Sequence, residues 1–169
     1  YIEFYTSRWH GNLKNLEKII WKEITELKRK DLEENSGKII EEAKSKKIVV
    51  FIQGDPLIQT THSSLLLEAK KLGIRTKVIH NSSILSAVGE TGLHVQKFGP
   101  YVTIPFPEKT RGKSPESIFE IIRENKKREL HTLCLLDVIS EENKYMKVNE
   151  GLQILLSGEV ITKEDKLVI

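Results

Sequence analysis

The sequence predicts an α/β fold with a largely parallel sheet, divided into two domains. Apolar, β-branched runs alternate with segments of helical spacing along the whole chain, the pattern of strands joined by crossover helices. The runs at 48–52 and 131–136 are apolar without alternation, as for strands covered on both faces. Between Thr76 and Ile104 there is less helix than a simple repeat requires, which points to a hinge and to domains at 1–85 and 86–169.

Each element has its own warrant. Ile2 to Tyr5 alternate as a strand, and Thr6-Ser7 open a polar connection. Leu13, Leu16, Ile19 and Ile20 fall at helical spacing. Residues 23–27 read as a short exposed strand, and 28–35 as a charged loop or solvated helix face. Ser36-Gly37 introduce a helix with Ile39, Ile40 and Ala43 on its inner side, ended by Lys46-Lys47 in keeping with the helix dipole. The strand at 48–52 stops at Gly54-Asp55-Pro56. Thr60 and Thr61 are candidate N-caps for a helix carrying Leu65, Leu66, Ala69 and Leu72 inward, closed by Gly73.

A second strand is predicted at 76–79. His80-Asn81-Ser82-Ser83 then lead into a helix with Ile84, Leu85, Ala87 and Val88, capped by Ser82 or Ser83. Gly89, Gly92 and Gly99-Pro100 mark a turn-rich region. A strand at 101–104 is ended by Pro105 and Pro107. Ser114-Pro115 start a helix through Ile118, Phe119, Ile121 and Ile122. The strand at 131–136 stops at Asp137, and 148–156 form a helix ended by Ser157-Gly158.

Composition narrows the function classes. The 169 residues carry 27 Lys+Arg against 24 Asp+Glu, a net +3 with the charges interspersed, too slight to argue for nucleic acid. No apolar segment approaches membrane-spanning length and no signal peptide is visible, so the chain reads as cytoplasmic. The single cysteine, Cys134, lies in an apolar run and reads as a small buried hydrophobe. The chain opens on a strand pattern without an initiating Met and closes on Leu167-Val168-Ile169, another strand beginning, so both ends read as cut from a longer polypeptide.

The chemistry concentrates at strand ends. Gly54 lets the backbone turn or approach a ligand, Asp55 offers an acceptor, and Pro56 stiffens the exit. Open α/β sheets bind ligands at that end of their strands, though a turn with a helix-capping Asp would look the same. The serines at 82 and 83 ahead of a helix form a second candidate wall, or simply a good cap. Gly112-Lys113-Ser114 lacks the earlier glycine of a phosphate loop, having Pro107 there. The five histidines, His10, His62, His80, His94 and His131, have no metal-ligand spacing, and no Gly-x-Ser-x-Gly elbow occurs. With no nucleophile and no metal, the sequence suits a reaction that consists of positioning two reactants.

Several stretches resemble one family. Glu3-Phe4-Tyr5-Thr6-Ser7, Gly54-Asp55-Pro56-Leu57-Ile58 with Thr60-Thr61-His62, and Val78-Ile79-His80-Asn81-Ser82-Ser83-Ile84 are similar to the diphthine synthases of the tetrapyrrole-methylase superfamily. So are Ser86-Ala87-Val88-Gly89, Thr91-Gly92-Leu93-His94, Lys97-Phe98-Gly99 and Leu130-His131-Thr132-Leu133-Cys134-Leu135-Leu136-Asp137. Precorrin-type relatives carry a Phe-Gly-Arg-Gly-like segment where this chain has Thr60-Thr61-His62.

The resemblance implies a two-domain tetrapyrrole-methylase-like fold, a homodimer, and S-adenosylmethionine bound between the domains. It implies cofactor contacts at Asp55, Ile58, Ser83, Ile84 and Leu136, with Asp55 and Leu136 on opposite walls of one pocket and S-adenosylhomocysteine as product. The implied reaction is methylation of the amino group on the modified histidine of translation elongation factor 2, in diphthamide biosynthesis. No catalytic side chain follows from it. The family also carries an earlier strand with a Gly-Leu-Gly loop and a longer second domain. The alternatives are a superfamily methyltransferase acting on a corrin precursor or ribosomal RNA, and a non-catalytic cofactor-binding module.

Overall fold

A computed structural model of the chain describes residues 1–7, 9–113 and 115–169, which form two units, 1–85 and 86–169. In the first, β1 (Ile2–Glu3) lies parallel to β2 (Glu26–Leu27), with Ile2 opposite Glu26. A parallel bridge joins Ile2 to Phe51, with the Phe51 N–H donating to the Tyr1 carbonyl at 2.9 Å and Glu3 N–H to the Phe51 carbonyl at 3.2 Å. The connection from β1 to β2 contains helix α1 (Leu13–Ile20), whose first turn is capped by the Asn12 side chain accepting from the Asn15 N–H. Leu13, Leu16 and Ile20 are half-buried on its inner side, and Ile19 is exposed.

Three more helices complete this unit: α2 (Arg29–Glu33), α3 (Gly37–Ala43) and α4 (Ser63–Lys71). Tyr5, Leu27, Leu32 and Ile39 form its core, with Ile48, Val50 and Leu65 packed against them. The Ser36 hydroxyl at the start of α3 donates to Glu68 of α4 at 2.8 Å. The boundary falls within the four-residue helix α5 (Ile84–Ala87), which runs on into a 3₁₀ turn, Val88–Thr91.

In the second unit, β3 (Val102–Ile104) pairs in parallel with β4 (Cys134–Leu136), Val102 opposite Cys134 and Ile104 opposite Leu136. Helix α6 (Glu116–Lys127) lies between them in sequence. A hairpin of β5 (Val138–Ile139) and β6 (Lys144–Tyr145) turns through Asn143 in the left-handed region, and α7 (Val148–Ser157) follows. Ile104, Phe119, Ile122 and Leu155 anchor the core. Phe119, 1% exposed, is its most deeply placed aromatic ring.

The α/β class with parallel pairings holds, but several elements differ from expectation. Residues 48–52 are extended and, among the described residues, bridged to β1 only at Phe51, and Val49 is 51% exposed, so this run is not covered on both faces. Residues 76–79 are extended without a ladder among the described residues, and Ile79 is 77% exposed. An apolar β-branched run sets an extended backbone, whereas burial needs neighbouring strands on both edges, which this segment does not have among the described residues.

Leu72 is also exposed, because α4 ends at Lys71 and Leu72 becomes its C-cap. The charged stretch at 28–35 is the short helix α2, anchored by buried Leu32. The expected Ser114 cap lies outside the described residues, and Pro115 occupies the position before α6.

Candidate functional site

The turn after Phe51 is built from residues that few other types could replace. Gly54 has φ +71°, and a Cβ there would sit 3.3 Å from the Ser82 carbonyl oxygen. Glycine thus permits both the left-handed backbone and a close approach of the 54–58 turn to the 80–83 segment. The two walls that the sequence suggested separately are brought together here.

Asp55 is 9% exposed, and each of its carboxylate oxygens has a partner. One carboxylate oxygen accepts from the Leu57 N–H at 2.9 Å, and the other from His80 Nδ1 at 2.8 Å. The Leu57 N–H, with help from His80 and the Asn81 N–H, holds the carboxyl below its ordinary range against the opposing effect of burial. Asp55 is therefore ionised at neutral pH and fixes the turn. Ile58 is half-buried and donates its N–H to the Asp55 carbonyl at 3.3 Å. Ser83 is half-buried, and Ile84, which opens α5, is exposed.

The sequence did not reveal what holds this turn to the first strand. His62 is 4% exposed, with Nε2 3.1 Å from the Tyr5 hydroxyl and Nδ1 2.5 Å from the Thr60 hydroxyl. Burial pushes its pKa below the ordinary imidazole value. The Tyr5 phenol is pushed up to about 12, first by burial and then by the Glu3 charge. Glu3, fully buried, accepts from the Tyr5 N–H at 2.9 Å and the Thr6 N–H at 3.1 Å. The threonines expected to cap α4 are occupied elsewhere: Thr60 bonds His62, and the Thr61 hydroxyl donates to Glu33 at 2.9 Å. His62 itself takes the N-cap position without a side-chain cap bond. The signal in the sequence was Thr60-x-His62 beside Glu3-x-Tyr5, legible only once the strand and turn are adjacent.

Leu136 belongs to a different environment in the second unit. It is half-buried at the end of β4 and lines a cavity of about 470 Å³ with Ile104, Cys134, Gly151 and Leu155. A Cβ on Gly151 would come 2.8 Å from Leu136 Cδ2, so α7 packs against β4 because Gly151 has no side chain. Burial pushes the Cys134 thiol up to about 11, which keeps it protonated and unreactive at neutral pH. The next residue, Asp137, is buried and accepts from the Phe106 N–H at 2.9 Å, the Val138 N–H at 2.8 Å and Lys109 Nζ at 2.7 Å.

Among the described residues, no group of three or more His, Cys, Asp or Glu side chains is placed to hold a metal ion. Among them, too, no helix is long and apolar enough to cross a membrane.

A parallel α/β chain with a glycine-turned, acid-bearing loop at a strand end is of the ligand-binding α/β class. The model of the tetrapyrrole (corrin/porphyrin) methylases matches residues 4–165, and the chain belongs to that family. It is 47% identical to diphthine synthase of Methanocaldococcus jannaschii over 97% of this chain and 64% of that protein. Identity to diphthine synthase of Methanococcus vannielii is 43%, again over 97% and 64%. The chain thus spans 64% of the length of these curated relatives. A crystal structure of a diphthine synthase superposes with a TM-score of 0.83 at 36% identity, covering 94% of this chain and 60% of that one.

Proposed function

We propose that the protein is an S-adenosylmethionine-dependent methyltransferase that methylates the amino group on the modified histidine of translation elongation factor 2. The observation that carries this is the 47% identity to a diphthine synthase along nearly the whole chain. Thr60-Thr61-His62, where precorrin-type relatives carry a Phe-Gly-Arg-Gly-like segment, supports the protein-modifying branch over the corrin-modifying one.

The residues present fit the cofactor. Gly54, with φ +71°, lets the Asp55 turn come close to the Ser82 backbone, which sets Asp55 beside the 80–83 segment. The Asp55 carboxylate, with about four acceptor sites and three taken by the Leu57 N–H, His80 and the Asn81 N–H, can still receive a donor from an amino-acid or ribose group. Ile58, Ile84 and Leu136 supply apolar surface for the adenine or the sulfonium arm, and Ser83 a hydroxyl. When bound, S-adenosylmethionine supplies an electrophilic methyl group on a positively charged sulfur. The task of this chain's residues is positioning: to exclude water and present a neutral amine in line, about 3 Å from the methyl carbon. An amine of pKa near 8 is already partly neutral at pH 7, so no side chain is assigned to remove its proton. The protein works in the cytoplasm as a homodimer in this reading, which rests on the resemblance to the family.

Incubation with methyl-labelled S-adenosylmethionine and elongation factor 2 carrying the unmethylated intermediate tests the proposal. Label on the factor supports it. Cofactor binding without transfer overturns it in favour of a non-catalytic module. Transfer to a corrin precursor or ribosomal RNA, and not to the factor, overturns it in favour of a sibling methyltransferase.

A further inference from the structure

Gln53 breaks the rule that the rest of the turn obeys. Both atoms of its side-chain amide are shielded from solvent, and neither has a hydrogen-bond partner. The other buried polar side chains of this unit are satisfied: Glu3 by the Tyr5 and Thr6 N–H groups, Asp55 by Leu57 and His80, His62 by Tyr5 and Thr60. A primary amide offers two donors and an acceptor, and burying it unpaired is unfavourable to the fold, so such groups are rare in native proteins. Leucine or methionine would fill the same space without that cost. The orphan also falls at a particular place, directly after the segment bridged to β1 at Phe51 and directly before Gly54, where the backbone comes close to Ser82.

We propose that Gln53 is a cofactor-binding residue, its amide reserved for a polar edge of the bound S-adenosyl group. This rests on the function proposed above and adds a contact to it. An amide presents a donor and an acceptor side by side. That pattern matches the edge of adenine, which also offers adjacent donor and acceptor, and it matches the carboxylate and ammonium of the amino-acid end.

The test pairs binding with stability, using Gln53→Leu and Gln53→Met in the purified protein. S-adenosylhomocysteine and 5′-methylthioadenosine, which lacks the amino-acid end, are titrated calorimetrically into each variant and the parent. Melting curves are recorded without ligand. The expected result is affinity for S-adenosylhomocysteine at least tenfold weaker in both variants, with a melting temperature equal to or above that of the parent. Equal loss for both ligands places the contact on the nucleoside. Loss for S-adenosylhomocysteine alone places it on the amino-acid end. Unchanged affinity in both variants overturns the proposal, and so does a clear fall in melting temperature in both, which would mean that the amide stabilises the ligand-free fold. Failure of the parent itself to bind S-adenosylhomocysteine would count against the cofactor reading as a whole, and is distinguished from failure at Gln53 by that control.

Discussion

The turn around Asp55 and the packing around Leu136 hold these two residues by opposite means. In the first unit, position is set by directional bonds among buried polar groups: Glu3 to Tyr5, Tyr5 to His62, His62 to Thr60, Asp55 to Leu57 and His80. In the second, Leu136 is set by shape, with Gly151 and Ile104 against it and the Phe119 core behind. Directional bonds fix angles and respond to protons. Packing fixes volume and responds to methyl groups.

The largest expected effect sharpens the packing side. Phe119→Ala removes a ring that is 1% exposed, and such truncations cost about 3–5 kcal/mol. Hydrogen exchange should show protection lost in α6, β3 and β4, with 1–85 retaining more of theirs. Equal loss across both units would break the comparison.

Next comes the polar side. His62→Ala leaves the Tyr5 and Thr60 hydroxyls without their shared partner, a loss of about 1–3 kcal/mol read from denaturant melts. The same residue gives the pH dependence. Because burial lowers its folded pKa, the unfolded chain binds the proton more readily. The stability associated with neutral His62 is therefore complete above the ordinary imidazole value of about 6.5. It is lost as pH falls through that value towards the folded one. His62→Gln should flatten this slope, and an unchanged slope would show that other groups set it. Glu3, Glu33 and Arg29, the charged neighbours of this site, remain in that variant.

A smaller effect is expected at Gly151. Alanine brings a Cβ to 2.8 Å from Leu136 Cδ2, an overpacking cost of about 1–3 kcal/mol offset by roughly 1 kcal/mol of helix propensity. Melting should fall slightly while S-adenosylhomocysteine binding weakens, because the side chain that yields is Leu136. A stability loss with unchanged binding would separate Leu136 from the cofactor.

The sequence was most legible where one residue type decides the outcome alone. Gly54 had to turn, and helical spacing at Leu13, Leu16 and Ile20 gave α1 as found, whereas the run at 131–136 is a strand only at Cys134–Leu136 and is half-buried, not covered on both faces. It was least legible where the outcome depends on a distant partner. Nothing local in 76–79 shows that the segment lacks a ladder among the described residues, since a strand's burial is decided by its neighbours. Thr60 and Thr61 look like caps until His62 and Glu33 are seen to hold their hydroxyls. The bond from His80 to Asp55 joins two motifs 25 residues apart, and only the fold could show it.

The most direct test of the account is a calorimetric titration of S-adenosylhomocysteine into the parent, Asp55→Asn, Leu136→Ala and the double variant, with a melting curve for each. The parent should bind one molecule per chain. Asp55→Asn keeps the shape of the turn while removing the charge, and should bind about tenfold more weakly. Leu136→Ala should lose affinity together with about 2 kcal/mol of stability, the low end for a leucine that is only half-buried. The losses should be non-additive in the double variant, as for two groups on one ligand. If Asp55→Asn binds as well as the parent and only melts lower, the carboxylate is a structural fastener of the turn and the cofactor assignment at Asp55 is wrong.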